Sequence, residues 1–328
     1  MSAALALSLE KPRTSPSAAP HLPHALHAAD RTWPETNCYV DLWIELLHLR
    51  GLAPEAMLGF TLRQAFEGDQ FTFFKPKAAD LEALYGLEIL ELALYETLEG
   101  HSLVQAARGL PVLVEVDAFY LPDTAGTTYG REASKTTIAI LSLDPETRFL
   151  DYLHNAGRFQ LHGADYDGIF AKGRLLPYAE FVKPCGPALT GSALADAALA
   201  LLRRHRAHAP ERNPVTAFRE TLAGKPDAFV QRPLSAFHSY AFNTTRQLGA
   251  NFELLGSHLA WLTAQGAGPF GEAAEAATRL GQEAKAFQFQ LARAFARGKL
   301  AGLPERLAAA EATYAAVFAA LDRALAAG

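Results

Sequence analysis

Two cysteines occur in the 328 residues, and their settings differ. Cys38 follows Asn37 and opens the run Tyr39, Leu42, Trp43, Leu46 and Leu47, whose spacing predicts a helix ended by Gly51. Asn37 is placed to cap it. A thiol in the first turn of a helix lies near the positive end of the helix dipole, which favours thiolate, the nucleophile of covalent acyl transfer. Backbone donors at the same helix start suit an oxyanion. Asp41, three residues on, opposes thiolate formation. The plain alternative is a small buried core residue, since free cysteine is among the most buried types. Cys185, in the turn-like stretch Lys183-Pro-Cys-Gly-Pro187, has no helix start behind it and reads as structural.

Other polar groups offer weaker patterns. His21, His24 and His27, followed by Asp30, give imidazoles at threefold spacing, a ligand type that metals favour. Pro20 and Pro23 interrupt the run and no cysteine completes a zinc pattern, so the expectation is a solvated arm without metal. Glu67, Asp69 and Gln70 precede the aromatic stretch Phe71, Phe73 and Phe74. They read either as turn chemistry at Gly68 or as a pocket edge that pairs with an ammonium group. Glu115 and Asp117 alternate onto one strand face with the same two readings. Asn243, Arg246 and Asn251 lie beside a helical apolar stripe. They form its solvated face, or Arg246 binds a carboxylate or phosphate.

The elements that must position these residues follow from periodicity. Residues 1–32, rich in Ala, Pro, Ser and His, predict an extended arm with a mobile start. A mixed region, 33–188, carries strand patterns at 70–75, 112–120, 136–143 and 148–154, with helical signals over 80–108. This predicts an α+β domain in which an antiparallel sheet packs on helices. From 189 to 328 the chain is Ala-rich and helical. Asn213-Pro214 is a cap and first-turn pair, and three apolar stripes start at Leu248, Leu280 and Leu307, so a C-terminal α-helical bundle is expected.

Composition narrows the function classes. Half of the residues are hydrophobic and a fifth charged, which excludes collagen-like, disordered and coiled-coil chains. A net charge of −5 gives no basic footprint for nucleic acid. No run approaches the roughly 18 apolar residues of a membrane span, and the start lacks the basic region of a secretory signal. Two cysteines are too few for a disulfide framework, and a cytoplasmic location is the expectation. Phosphate-loop, dinucleotide-binding and serine-elbow motifs are missing from the sequence.

Several segments together carry a resemblance. They are Arg31–His48 (RTWPETNCYVDLWIELLH), Phe66–Lys75 (FEGDQFTFFK), Val114–Thr124 (VEVDAFYLPDT), Lys135–Ile140 (KTTIAI), Tyr152–Gly157 (YLHNAG) and Phe242–Leu262 (FNTTRQLGANFELLGSHLAWL). With them the chain resembles an uncharacterised bacterial family related to the N-terminal domain of butirosin biosynthesis protein H. The resemblance implies a papain-like cysteine acyltransferase, of a kind often encoded near amino acid:carrier-protein ligases. The implied reaction moves an aminoacyl group from a phosphopantetheine thioester, via a Cys38 thioester, to an acceptor amine. The implied partners are an aminoacyl-loaded carrier protein and a small-molecule or peptide amine, with neither nucleic acid nor membrane. No intrinsic cofactor is implied; the phosphopantetheine belongs to the donor. The candidate substrate-binding residues, Asn37, Glu67, Asp69, Gln70, Asp117, Tyr120, His154, Asn243 and Arg246, all lie in the matching segments.

The papain-like order is Cys at a helix start, then His opening a strand, then Asp or Asn on the next strand. By resemblance Cys38 fills the first role and Asp151 the third. The second falls at Ala133, in Arg131-Glu-Ala-Ser-Lys135, where the family leads one to expect His. Without an imidazole the thiol lacks its usual base and the leaving group its proton donor. Three readings fit: a His-to-Ala substitution introduced into this chain, recruitment of another residue with His154 nearest in sequence, or a natural non-catalytic relative. A cysteine hydrolase and a carrier-binding module are the competing functions.

Overall fold

The structure is a computed structural model that describes residues 21–171 and 175–327. The chain enters as an arm that turns once, at the 3-10 segment Ala25–His27, and lays Leu26 and Trp33 into the core. Helix α1, Cys38–Leu49, follows with its cap as expected: Asn37 Oδ1 accepts from the Val40 amide at 3.0 Å. Every residue from Val40 to Leu47 is buried, including the acidic Asp41 and Glu45, so α1 is enclosed on all sides.

After α1 a 3-10 segment, Pro54–Arg63, leads to the short hairpin β1 (Phe66–Glu67) and β2 (Gln70–Phe71). The turn uses Gly68 at φ 68°, a conformation that suits glycine. Helix α2 (Ala78–Tyr85) stops at Gly86, which is left-handed and so close to Gly186 that a Cβ would lie 2.3 Å from its carbonyl oxygen. Strand β3 (Leu87–Glu91) and helix α3 (Leu98–Ala107) come next. The expected helical tract over 80–108 is therefore corrected to helix, strand, helix. The pattern Leu87, Leu90, Leu94 matches helical spacing, but Leu87 and Ile89 face the core in alternation.

The remaining strands are β4 (Val112–Asp117), β5 (Lys135–Asp144), β6 (Phe149–His154), β7 (Gly157–His162) and, after helix α4 (Ala164–Phe170), β8 (Ala179–Pro184). With β3 they form one antiparallel six-stranded sheet in the order β3-β8-β4-β5-β6-β7. The strand expected over 112–120 ends at Asp117, whose carboxylate accepts from the Phe119 and Ser134 amides and turns the chain away. Alternation divides the sheet. Leu113, Ala139, Leu153 and Val182 face α1, which lies across β5 and β6. Val114, Ile138, Leu150 and Tyr152 face a second core on the opposite side.

The C-terminal region is helical: α5 (Gly191–Ala207), α6 (Pro214–Ala223), α7 (Leu234–Ala241), α8 (Gln247–Ala264), α9 (Gly271–Arg297) and α10 (Ala308–Ala327). A π-helical turn, Phe242–Arg246, joins α7 to α8. These helices share one continuous core with α1 and the Pro54–Arg63 segment. Polar bonds tie the same seam: Asn251 donates to the Thr61 carbonyl and Gln64 to that of Gln247, both at 2.9 Å. His258 donates from Nδ1 to the Glu55 carbonyl at 2.7 Å; burial lowers its pKa to about 4, so it is neutral. No helix is long and apolar enough to cross a membrane among the described residues.

Candidate functional site

The loop that delivers Cys38 is fixed from three directions. Thr36 donates to Asp41 from its amide (2.8 Å) and hydroxyl (2.5 Å). Asn37, besides capping, donates from Nδ2 to the Phe74 carbonyl at 3.0 Å, which binds the loop to the irregular segment after β2. Arg246, in the π turn, donates from Nε to the Thr36 carbonyl and from Nη2 to that of Glu35, both at 2.9 Å. Cys38 is half-buried and free. Beside it the Tyr39 hydroxyl donates to Glu180 at 3.1 Å, while Lys75 stands 5.0 Å from the centre of its ring. Burial, joined by the Glu180 charge, pushes the Tyr39 phenol up, which keeps it a donor.

The residues expected to complete a papain-like triad are placed as follows. Ala133 is exposed, just before β5. Asp151 pairs in register with Ser142, near the far end of β5, and is held by Arg158 through two hydrogen bonds, Nε to Oδ1 at 2.9 Å and Nη2 to Oδ2 at 2.5 Å. His154 does not serve Cys38. It shares the face of Tyr152, the one opposite α1, and is buried, with Nδ1 2.6 Å from Asp123 and Nε2 2.9 Å from the Thr136 hydroxyl. Among the described residues no histidine is hydrogen-bonded to the Cys38 thiol.

The histidine arm is not solvated throughout, which corrects the sequence expectation. His27 is buried against α1, its Nδ1 2.5 Å from Glu45 and its Nε2 3.3 Å from Asp41. Burial alone would lower its pKa, but hydrogen bonds to Asp41 and Glu45 outweigh that and raise it to about 9. His21 adds a 2.6 Å contact to the same Glu45. The imidazoles thus answer the two carboxylates buried in α1. No group of His, Cys, Asp and Glu suited to a metal ion occurs among the described residues.

The π turn draws several other candidates together. Asn243 and Gln70 line two neighbouring cavities of about 260 Å³ each. One adds Asp69 and Tyr240, the other Glu67 and Gln247. The Tyr240 hydroxyl is buried with no hydrogen-bond partner, and burial, then the Asp69 charge, pushes its pKa up. A single extra residue per turn, the mark of a π segment, re-aims side chains and recurs at functional sites. Here Asn243 lines both cavities while donating back to the Ser239 carbonyl at 2.9 Å, and Arg246 reaches the Cys38 loop. Asn251, by contrast, is consumed in the core.

Asp117 and Tyr120 lie elsewhere. Asp117 lines a cavity of about 230 Å³ at the β4 end, and Tyr120 packs against α4, where a Cβ on Gly168 would fall 2.1 Å from its ring. Glu115 pairs with Lys135 at 2.6 Å. Sequence reasoning missed Trp33, Glu253, Lys285 and Gln288. Glu253 accepts from the Thr32 and Trp33 amides (3.0 and 2.8 Å), and the Trp33 indole donates to the Gly281 carbonyl at 3.0 Å. Of these only Trp33, a lone large aromatic in a polar arm, carried a signal.

Fold and site define an α+β protein in which a six-stranded antiparallel sheet and a helical region jointly enclose a cysteine-headed helix. The chain belongs to the DUF1839 family: the model of the DUF1839 N-terminal domain matches residues 22–184, and that of the DUF1839 C-terminal domain matches 191–323. No curated protein matches it.

Proposed function

We propose that the protein is a papain-like acyltransferase that takes an aminoacyl group from a carrier-protein phosphopantetheine thioester onto Cys38 and passes it to an amine. One observation carries this reading. Cys38 is a half-exposed thiol in the first turn of a helix laid across β5 and β6, and three side chains fix the loop before it. In the first step the Cys38 thiolate attacks the thioester carbonyl, the new C–S bond forms, and the donor thiolate leaves to be protonated by solvent. In the second the amine attacks, the C–N bond forms, and its proton goes to the departing Cys38 sulfur. Both steps exchange an activated acyl group, so no nucleotide is required. The relation to the butirosin biosynthesis protein H domain belongs to this same reading.

A second reading is favoured by Ala133 and by the Asp151–Arg158 pair, which among the described residues leave Cys38 without a hydrogen-bonded imidazole and its orienter. In it the protein binds the loaded carrier without reacting. Intact-mass spectrometry after mixing with an aminoacyl-loaded carrier protein separates the two. An adduct on Cys38 in the chain with Ala133 or in Ala133→His, missing from the matching Cys38→Ala forms, supports acyl transfer. Carrier binding with no adduct in any form leaves the binding module. Release of free amino acid without an amine selects a hydrolase.

A further inference from the structure

A cavity of about 400 Å³ opens between the arm, the β6–β7 turn and the C-terminal helices. Its polar lining is dominated by donors. Arg246 uses Nε on the Thr36 carbonyl and Nη2 on that of Glu35, and among the described residues no hydrogen bond engages Nη1. Lys285 stands 3.9 Å from the centre of the Trp33 ring, and among the described residues no carboxylate pairs with it. Gln288 accepts from the Thr245 hydroxyl through Oε1 at 3.1 Å, so its amide NH₂ remains to donate. The volume is in the range of small-ligand sites, of order 300–1,000 Å³.

Local carboxylates offset this set only in part. Glu253 is occupied by the Thr32 and Trp33 amides. Asp41 and Glu45 face His27 on the cavity floor. Glu35 is half-exposed at the rim, 4.0 Å from Arg246. Burial, then the neighbouring Arg246 charge, lowers the Lys285 pKa, while the Glu253 charge opposes the shift, so the two cations lie close enough to repel each other. Such a repulsion is relieved by an anion held between them. Trp33 is the part that makes this a built site. Its indole is locked by the bond to Gly281, and its face holds the Lys285 ammonium by a cation–π contact.

We propose that this cavity is an oxyanion-binding site, taking the phosphate or carboxylate of a small ligand between Lys285, Arg246 and the Gln288 amide. The site adjoins the Cys38 loop through Arg246, but it does not depend on any reaction at Cys38.

The test is calorimetric titration of the full chain with inorganic phosphate in one arm and acetate in the other, at low chloride. Saturable one-to-one binding of either anion is expected, unchanged by Cys38→Ala. Phosphate alone would mark a phosphorylated ligand, acetate alone a carboxylate, and both a general oxyanion. Lys285→Met should weaken binding by about tenfold or more, the scale of one charge-assisted bond, while Lys285→Arg keeps it. No saturable binding of either anion at tens of millimolar overturns the proposal. So does binding unchanged in Lys285→Met, or lost equally in Lys285→Arg.

Discussion

Arg246 Nε donates to the Thr36 carbonyl at 2.9 Å, a bond that joins residues 210 apart in sequence. It places a residue of the C-terminal helical region in charge of the loop that presents Cys38. The two family models meet between residues 184 and 191, yet the core that encloses α1 continues through α8 and α9. The helical region is thus part of the machinery that sets the cysteine's geometry, and its loss would uncover the Pro54–Arg63 segment and the side of α1 turned away from the sheet.

Arg246→Ala should remove two charge-assisted bonds and lower stability by roughly 2–3 kcal/mol. Arg246→Lys should recover little, because an ammonium cannot reach two carbonyls in the fork geometry of guanidinium. In a Cys185→Ser background, alkylation of Cys38 by iodoacetamide should speed up in both variants as the loop loosens. An unchanged alkylation rate would show that Asn37 and Asp41 hold the loop alone.

Glu253 makes a related claim on the arm. Its carboxylate takes two amides, Thr32 at 3.0 Å and Trp33 at 2.8 Å. Glu253→Ala leaves both donors unsatisfied, at a cost of about 2–4 kcal/mol, and Glu253→Gln should cost less because one acceptor remains. Hydrogen exchange at Thr32 and Trp33 should rise in that order, with exchange in β5 and β6 little changed.

His27 gives the stability a pH dependence with a definite sign. Its folded pKa, about 9, lies above the ordinary 6.5, so its contribution is complete below pH 6.5 and lost as pH rises through 9. The loss amounts to at most about 3 kcal/mol. Glu45, lowered from 4.5 by His27 once burial is overcome, contributes above pH 4.5 and fails in acid. His24, which faces Glu55, His48, Glu45 and His27, is lowered chiefly by burial and therefore destabilises as pH falls below 6.5. The drop in Tm between pH 7 and about 9.5 thus belongs to His27 and should vanish in His27→Gln. A direct NMR titration of the His27 ring with a midpoint near 6.5 would refute the assignment.

The sequence revealed the local devices and concealed the long-range ones. Asn37 as a cap, the α1 stripe, the sheet's central strands and the stripes from Leu248 and Leu280 were legible because each depends on neighbours within a few residues. Strands β3, β7 and β8 were not. Leu87-Glu-Ile-Leu-Glu fits helical spacing as well as alternation, and only its pairing with β8 decides. In the candidate site, Gln70 and Asn243 stand out in separate segments of the sequence, and the fold brings them together at the π turn. Lys285 was hidden: one residue after the buried Ala284, it reads as a solvated lysine until Trp33 arrives from 252 positions away.

Gly249 tests how tightly that tryptophan is held. A Cβ at this position of α8 would lie 2.5 Å from Trp33 Nε1, closer than any real contact. The indole cannot yield sideways, because it donates to the Gly281 carbonyl and stacks with Lys285 on its face. Gly249→Ala should therefore push the ring out of its slot and lower stability by about 1–3 kcal/mol, the range of core overpacking. Its indole N–H signal should move toward water-exposed values in an NMR spectrum. The cause can be isolated by a double-mutant cycle with Trp33→Leu, a smaller side chain that removes the clash. Alanine has a better helix propensity than glycine, by about 1 kcal/mol, so in that background Gly249→Ala should be neutral or stabilising. A cost that persists without the indole would instead place the strain between α8 and α9, where the Gly249 carbonyl already lies 3.0 Å from where a Gly281 Cβ would stand.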